Sequence, residues 1–378
     1  MKNNNNSITI CLIATAPGKG PGGGMSIYLQ LCDAIRKAFN VNYEWHIFVS
    51  EGMPTPTIEN ASYHIVNTKG ISRFLFDWYG FQKVLSEKKI SPDAVISLQN
   101  TIPNSRCNNK YVYYHQPLPF YSYPVKISDP FFKTYLFYHY LYPLYVKSFL
   151  NRKTFVVVQT NIIKDCFIKK FRHDPRKIGV YFPEIERPNQ ATIEEFNYDG
   201  NYFNFVYPAN ASSYKEHITL FYALQELYKC DSNLAKKIRF HFTVNSGALP
   251  YLKEAIEKNE MKDNFIFYGH VSHDKLLAMI KSSHGLVFPS VIETLGLPLL
   301  ETASLGVPVV ANDIPYAKEV LGSYEGAIYA LTHNYKEWAN KIITCCKGKP
   351  LYFHPYFNMA GEKSWDKLLR MIAETVNR

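Results

Sequence analysis

Long apolar runs, paired cysteines and metal-binding signatures are all missing from this 378-residue sequence. No uninterrupted apolar stretch reaches the roughly 20 residues of a membrane-spanning helix, so none is predicted. The seven cysteines are odd in number and form no Cys-x-x-Cys pair, which argues against a zinc site or a disulfide framework and indicates a reducing compartment. No Gly-Lys-Ser/Thr step and no Asp-x-Asp pair occurs, so neither a Walker A loop nor a catalytic metal is expected.

The charge balance is positive but diffuse. With 42 basic and 32 acidic residues the formal net charge is +10 and the pI is near 9.0. This excess favours an anionic partner, such as a phosphate-bearing small molecule or an anionic membrane face. The basic residues stand singly or in short groups such as Lys169-Lys170, so no nucleic-acid partner is predicted.

Two segments have features of membrane-directed sequences. The start, MKNNNNSITICLIATA, has the form of a weak signal peptide, but its apolar run is short and a glycine loop follows, so we interpret it as a first β-strand. Residues Phe131 to Leu150 combine many aromatic side chains with Lys133 and Lys147. They suit either a segment that lies in a membrane interface or an ordinary pair of core helices.

Short β-branched runs alternate with amphipathic helix-length segments, which predicts parallel sheets with crossover helices. We expect two doubly wound, Rossmann-like α/β domains that face each other across a cleft, at residues 1–183 and 202–360. The segment 184–201 is predicted to link them, and 361–378 to form a helix that packs back toward the first domain. In the first half, strands are predicted at Ile8–Thr15, Trp45–Ser50, Tyr63–Val66, Ala94–Leu98, Tyr111–His115 and Phe155–Gln159, and helices at Met25–Phe39, Ser72–Lys88 and Asn161–Phe171.

A glycine-rich loop, ATAPGKGPGGGMS, follows the first predicted strand and opens a helix. Glycines let backbone N–H groups approach a phosphate at the helix N-terminus. Gly18, Gly20 and Gly23 fit the G-x-G-x-x-G pattern and Glu51 ends the second strand, which leaves a nicotinamide oxidoreductase as an alternative. A stretch with so many glycines also fits an ordinary surface loop. In addition, Pro21 lacks the backbone N–H that a phosphate-binding loop would use.

Two glutamates flank a Gly-Leu-Pro turn in PSVIETLGLPLLETASLGVPVV. The turn begins a helix and presents backbone N–H groups, which suit an anion. Glu293 precedes the turn and Glu301 follows it by about one helical turn, and ionised carboxylates accept hydrogen bonds from hydroxyl pairs. Together the two features favour a nucleotide sugar, with the diphosphate at the turn and the hydroxyls on the acids. The alternative is a pair of surface acids.

The stretch FPSVIETLGLPLLETASLGVPVVAND resembles the E-x7-E signature of the retaining family 4 of glycosyltransferases, which have the two-domain GT-B architecture. The resemblance is strongest over residues 203–322. It implies that Glu301 binds the ribose and that Glu293 lies beside the donor sugar. It implies further that His270 and Val271 hold the base, and that the donor diphosphate and sugar meet Gly23, Gly24, Thr294, Leu295, Gly296 and Leu297.

Two further positions depend on the same resemblance. The family commonly places an arginine and a lysine five residues apart after the first strand of its second domain, and in VYPANASSYKEHITL these positions hold Asn210 and Lys215. Lys215 is therefore expected to carry more of the charge of the leaving group. His115 in YVYYHQPLPFYSYP corresponds to a histidine often found near the donor sugar, although it could equally be a packed side chain.

The sequence therefore predicts a retaining hexosyltransferase that moves a sugar from a nucleotide-sugar donor to a glycan or a polyprenyl-diphosphate-linked acceptor. Surface polysaccharide synthesis of the O-antigen or capsule type is the expected pathway. We expect no cofactor and no metal, and a cytoplasmic enzyme that is peripheral on the anionic inner face of the membrane. The alternatives are an epimerase or phosphorylase of the same fold, a nicotinamide oxidoreductase, and a non-catalytic sugar-binding module.

Overall fold

A computed structural model describes residues 7–15, 23–38, 42–68, 70–182, 192–346, 350–357 and 364–376. These residues form two compact units. The first contains the described residues up to Tyr121, from Leu136 to residue 182 and from 364 onward, and the second contains Ser122–Tyr135 and the described residues between 192 and 357. Residues 122–135, which fall within the predicted domain 1–183, pack with the second unit.

The first unit is built on a seven-stranded parallel sheet in the order β3-β2-β1-β4-β5-β6-β7. β1 is buried over its last five residues, Ile10–Ala14, as a parallel strand with helices on both faces must be. Ile10 and Leu12 join one hydrophobic cluster, and Cys11 and Ile13 join the other. The strands are β1 Ile8–Ala14, β2 Tyr43–Val49, β3 Ala61–Ile65, β4 Ala94–Ser97, β5 Asn109–Tyr113, β6 Phe155–Val158 and β7 Ile178–Val180.

Helices cover both faces of this sheet. Helix α1 buries Ile27, Leu31 and Ile35 at the four-residue spacing of one helical face. Two helices contain a π-helical turn, at Phe76–Gly80 and Phe137–Leu141. The α-helices of the first unit are α1 Gly23–Lys37, α2 Ile71–Leu75, α3 Phe81–Glu87, α5 Tyr142–Phe149 and α6 Asn161–Phe171. The short helix α4 Phe132–Leu136 belongs to the second unit except for Leu136.

The second unit repeats the plan with a six-stranded parallel sheet, in the order β10-β9-β8-β11-β12-β13. Its strands are β8 Phe203–Tyr207, β9 Ile238–Phe242, β10 Phe265–Phe267, β11 Gly285–Phe288, β12 Val309–Asn312 and β13 Ala327–Ala330. Its α-helices are α7 His217–Cys230, α8 Ser232–Lys236, α9 Pro250–Lys258, α10 His273–Lys281, α11 Leu297–Ser304, α12 Pro315–Leu321 and α13 Tyr335–Cys345.

The last helix, α14 Ser364–Val376, belongs to the first unit. Its Trp365, Leu368 and Ile372 are each 1% exposed and join the cluster around α1 and β1. The Trp365 ring lies 5.4 Å from that of Tyr113. The chain thus returns to its first unit after completing the second.

Both sheets reverse their strand order at one place, between β1 and β4 in the first unit and between β8 and β11 in the second. This is the topology of a doubly wound sheet, in which ligands bind at the carboxyl ends of the strands beside the reversal. The predicted class of two doubly wound α/β domains is confirmed. Among the helices of the described residues, none combines the length and the apolar character needed to cross a bilayer.

Gly306, which follows α11, has a positive φ of 74° and lies against the backbone of Phe353. Its carbonyl accepts a hydrogen bond from Phe353 N at 2.7 Å. A side chain at this position would adopt a strained backbone conformation and meet the Phe353 carbonyl oxygen, which cannot move aside as a flexible side chain could.

We therefore expect Gly306→Ala to lower the free energy of unfolding by about 2 kcal/mol or more, from the left-handed backbone and the backbone clash together. Gly247→Ala is the matched control, because a Cβ at that position would meet no heavy atom within 4 Å beyond its own chain neighbours. Chemical denaturation of both variants measures the difference. An equal loss in both variants would contradict this account of Gly306.

Candidate functional site

The candidate site lies in the second unit, at the carboxyl ends of β8 and β11, where the strand order reverses. The loop after β8 ends in a 3₁₀ turn at Ser213–Lys215, and the loop after β11 leads through Glu293 into α11. A backbone hydrogen bond from Val291 N to Tyr214 O, 2.9 Å long, joins the two loops. Residues far apart in the sequence are thereby brought to one edge of the sheet.

Lys215 and Glu293 form an ion pair between Nζ and Oε1. Their side chains are only 12% and 14% exposed, so each charge has lost much of its hydration. Removing one partner from such a pair leaves the other charge poorly solvated, which is costly. The Tyr207 hydroxyl also donates to the Lys215 carbonyl at 2.5 Å, which fixes the turn that carries the lysine.

Two buried side chains donate hydrogen bonds to the loop that carries Glu293. Asn312 Nδ2 donates to the carbonyls of Pro289 and Ser290, the second at 3.2 Å. The Tyr316 hydroxyl donates to Ser290 O at 2.8 Å. Asn312 and Tyr316 are each 1% exposed, so the loop is anchored by core residues and Glu293 is presented in a fixed position.

Gly296 makes the sharp entry into α11. Its φ of 74° and ψ of 64° are left-handed, and Pro298 occupies the first turn of the helix. A Cβ on Gly296 would lie 3.2 Å from Leu299 Cδ1. Leu295 is 1% exposed, so the turn is folded onto the core. The predicted turn at Thr294–Leu297 therefore leads directly into the start of a helix, the end at which the helix dipole is positive.

Glu301 pairs with a histidine that the sequence analysis did not select. Its Oε1 lies 3.0 Å from His273 Nε2, with side-chain exposures of 16% for Glu301 and 61% for His273. The hydrogen bond to Glu301 raises the pKa of His273, against a smaller opposing effect of burial. One oxygen of the Glu301 carboxylate is therefore oriented by a nearby donor.

His270 and Val271 lie in the loop between β10 and α10, the latter of which begins at His273. His270 is exposed and Val271 is half-buried. Gly269 starts this loop at a φ of 68°, and a Cβ there would come within 2.6 Å of Asn245 Oδ1. Because His273 reaches Glu301, the predicted base-binding loop and the predicted ribose-binding acid belong to one site.

Asn210 shapes the loop that leads to Lys215. Its side chain is exposed, and its Oδ1 accepts a hydrogen bond from Ser212 N at 3.0 Å. The amide therefore closes a local turn, as an asparagine can and an arginine could not.

The other predicted positions lie in the first unit. Gly23 and Gly24 begin α1, whereas Gly18 and Gly20 lie outside the described residues. His115 follows β5, and its backbone N donates to Asn100 Oδ1 at 2.6 Å. Burial lowers the pKa of His115 to about 4, and among the described residues its Nδ1 has no hydrogen-bond partner. The imidazole is therefore neutral near pH 7.

Glu216, which follows Lys215 directly in the chain, is a buried acid that was not among the predicted site residues. It is only 6% exposed and has a φ of 54°, rare for a residue with a side chain. Its carboxylate accepts from the Tyr123 hydroxyl at 2.7 Å and from Thr219 Oγ1 at 3.1 Å, and lies 3.3 Å from His333 Nε2. An acid directly after Lys215 and before an apolar helix was the available signal.

A second missed cluster surrounds Asp77 at the strand ends of the first unit. Asp77 is fully buried and pairs with Arg73 Nε at 3.3 Å. The hydroxyls of Thr101 and Tyr145 donate to the same carboxylate at 2.6 and 2.5 Å. Arg73 also donates to Thr15 Oγ1 at 3.1 Å, just beyond β1. No sequence pattern indicates this cluster, because its members lie in four separate segments.

Within the described part of the chain, no group of three or more His, Cys, Asp or Glu side chains is placed to hold a metal ion. That the reaction needs no metal stays a prediction.

Residues 189–355 match the family described as "Glycosyl transferases group 1". The chain is 26% identical to the O-antigen chain mannosyltransferase RfbU of Salmonella typhimurium over 303 residues, which cover 78% of this chain and 77% of the relative. The segment that matches the family includes Lys215, Glu293 and Glu301.

Solved structures with the same fold cover nearly the whole chain. Sucrose-phosphate synthase from Thermosynechococcus elongatus superposes with a TM-score of 0.65 at 14% identity, over 98% of this chain and 94% of that one. Anabaena Alr3699/HepE, in complex with UDP and glucose, gives 0.62 at 13% identity, over 98% and 99%. The likeness shows the fold, and the predicted GT-B class is confirmed. The family match and the similarity to RfbU support a glycosyltransferase on this fold.

The contact between His273 and Glu301 predicts a specific titration. The folded-state pKa of His273 lies above its unfolded value of about 6.5. The pair therefore stabilises the fold fully below that pH, and this contribution is lost as the pH rises through the raised pKa. NMR titration of the His273 ring should show a pKa above 6.5 that returns toward 6.5 in Glu301→Gln. Glu254→Gln is the control and should leave it unchanged; an equal shift in both variants would contradict the assignment.

Proposed function

We propose that this chain is a retaining glycosyltransferase that moves a hexose from a nucleotide-sugar donor to a glycan or a polyprenyl-diphosphate-linked acceptor. The observation that carries the proposal is the Lys215–Glu293 ion pair beside the start of α11, with Glu301 further along the same helix. A cation, helix N–H groups and two carboxylates are what a diphosphate joined to two sugars requires. A dinucleotide-dependent oxidoreductase gives these acids no role.

Each part of the donor has a partner in this arrangement. The ribose hydroxyls bind the Glu301 carboxylate, and the base lies over the main chain at His270 and Val271. The diphosphate lies at the N–H groups of Thr294–Leu297, where the helix dipole favours negative charge. The transferred sugar lies beside Glu293, which accepts hydrogen bonds from its hydroxyls.

The Lys215–Glu293 ion pair holds both side chains in position for the donor. Before the donor binds, each side chain has its counter-charge and keeps its position. When the diphosphate arrives, Lys215 gains a second anion to neutralise, and the carboxylate of Glu293 can turn its oxygens to the sugar. The two groups need little rearrangement at the moment of reaction, which is where preorganised charges are most effective.

Transfer breaks the bond between the anomeric carbon and the phosphate oxygen. Negative charge develops on the departing diphosphate, and Lys215 and the amides at the start of α11 stabilise it. With retention, the acceptor hydroxyl attacks from the face that the phosphate leaves, and its proton passes to the departing phosphate oxygen. His115, neutral because burial lowers its pKa, is proposed to act on a sugar hydroxyl as a hydrogen-bond partner and not as a cation.

The name of one relative supports a pathway. RfbU, which matches 78% of this chain, is named as an O-antigen chain mannosyltransferase. This supports a role in surface polysaccharide synthesis and makes mannose the first sugar to test. Asn210, in place of the family's arginine, leaves Lys215 as the side-chain cation for the leaving group.

We further propose that the first unit docks on the anionic inner face of the cytoplasmic membrane. In this unit, the helix that contains Trp78 lies beside α5, which contains Phe149. The rings of these two residues are 5.5 Å apart. The outer faces of the two helices expose Trp78 by 57%, Tyr140 by 60% and Leu144 by 66%. Lys147 is exposed on the second helix, and such basic residues add about 1 kcal/mol each near an anionic surface. The buried face of this region, with Tyr142, Val146 and Phe149, packs in the core.

A panel of nucleotide sugars tests the donor proposal. We expect one of the UDP-, GDP-, dTDP- or ADP-sugars to stabilise the protein by about 2.7 kcal/mol at a hundred times its Kd, and to be consumed when acceptor is present. Lys215→Met should then lower kcat about 100- to 1,000-fold, because a leaving-group donor is lost. The control Lys229→Met removes an exposed lysine of α7 and should retain activity.

Three outcomes of that panel contradict the proposal. If no nucleotide sugar stabilised the protein, the proposed nucleotide-sugar site would be ruled out. Conversion of the donor without an acceptor would identify an epimerase or a phosphorylase. Full activity in Lys215→Met would show that this lysine does not stabilise the negative charge on the departing diphosphate.

Vesicle cosedimentation tests the membrane proposal. The full chain should bind vesicles that contain phosphatidylglycerol and should dissociate at high salt. The double variant Trp78→Ser/Leu144→Ser should bind at least about tenfold more weakly, since two apolar side chains of about 1.5–3 kcal/mol each are lost. Leu331→Ser, an exposed position of the second unit, is the control. Equal binding by all three proteins would contradict membrane docking by this surface.

A further inference from the structure

A cavity of about 820 Å³ lies in the second unit. Its walls are helices α7 and α9 and the segment 122–135, which we call the strap. The volume falls within the range typical of small-molecule sites, roughly 300–1,000 Å³. None of the residues proposed above to contact the donor lines it.

Hydrogen bonds hold the strap against the second unit at several points. The Tyr123 hydroxyl donates to Glu216 at 2.7 Å and to Ser213 O at 2.9 Å. Ser213 Oγ donates to Asp129 at 2.5 Å. Near the middle of the strap, Ser128 O accepts from the Tyr251 hydroxyl at 3.2 Å. The cavity is thus bounded by fixed walls and does not depend on a loosely attached loop.

Aromatic rings and side-chain amides face this cavity together. Tyr222 and Tyr251 line it and are 39% and 58% exposed. Gln225 and Asn259 also line it, and Gln225 Nε2 donates to Asn259 Oδ1 at 3.1 Å. An amide offers both donors and acceptors to a hydroxyl group, and a tyrosine ring offers an apolar face with a polar tip.

The charges of the lining argue against an anion. Two lysines, Lys126 and Lys258, are offset by three carboxylates, Asp129, Glu216 and Glu254. A phosphate or a nucleotide would meet as much repulsion as attraction. A neutral molecule with apolar faces and many hydroxyls satisfies the rings, the amides and the carboxylates at once, and this combination is that of a sugar.

We propose that this cavity binds a neutral oligosaccharide segment of the acceptor. The assignment to the acceptor rests on the proposed transfer reaction. Ser213 and Glu216 line the cavity and flank Lys215 in the chain, so a glycan held here lies next to the turn that carries the lysine. The donor-binding unit then also grips part of the acceptor, and the strap is the structural element that makes this possible.

Ligand-observed NMR of the full chain tests the site with neutral trisaccharides of mannose, glucose, galactose and N-acetylglucosamine. At least one should bind, and Tyr251→Ala should weaken it about three- to tenfold, because an aromatic contact is lost. Ala255→Trp, which fills the cavity from α9, should abolish binding. The control Tyr352→Ala removes a tyrosine that is 60% exposed and donates to Lys281 O at 2.9 Å, outside the cavity. It should bind like the wild type.

Binding that Tyr251→Ala and Ala255→Trp leave unchanged would overturn the inference, as would the failure of every trisaccharide to bind. Nucleotide-sugar stabilisation is measured on the same samples and shows that the variants are folded. It also separates the two proposals, because a wild-type protein that binds the trisaccharide but no nucleotide sugar contradicts the proposed function and leaves the glycan site standing. A protein that binds donors but no glycan contradicts only the site.

Discussion

The ion pair between Lys215 and Glu293 is the interaction on which the candidate site depends. It joins the loops that follow β8 and β11, on the two sides of the strand reversal, and it is largely shielded from water. A charge that is shielded from water is tolerated only beside an opposite charge. Lys215 and Glu293 therefore hold each other in position before any ligand binds. The buried Asn312 and Tyr316 fix the second loop from the core side. The same contacts therefore stabilise the two loops and fix the positions of the site residues.

The two units use buried charge differently at equivalent places. In the first, Asp77 is fully buried and its carboxylate is shared among Arg73, Thr101 and Tyr145, which suits a permanent structural role. In the second, Lys215 and Glu293 remain slightly exposed, so a ligand can reach them. Two sheets of the same topology thus carry one closed and one accessible polar cluster. This contrast favours the second unit as the one that binds the donor.

Periodicity along the chain predicted the fold well, because parallel strands that are buried on both faces are continuous apolar runs. The six strands predicted in the first half are present within two residues of their bounds, and the short strand β7 was missed. The local sequence pattern indicated a candidate site only around Glu293 and Glu301, and Lys215 was added by the family resemblance alone. The partners of these acids, Lys215 and His273, lie 78 and 28 residues away in the chain, and no local pattern pairs them. The strap lies within the predicted domain 1–183 for the same reason, since only tertiary contacts group it with the second unit.

A crystal structure of the full chain with a bound nucleotide sugar tests the central claim most directly. The account predicts ribose hydroxyls within hydrogen-bonding distance of the Glu301 carboxylate, and a diphosphate between Lys215 Nζ and the N–H groups of Thr294–Leu297. It also predicts the transferred sugar beside Glu293. A donor bound elsewhere, or bound with both carboxylates directed to solvent and Lys215 still paired only with Glu293, would contradict it.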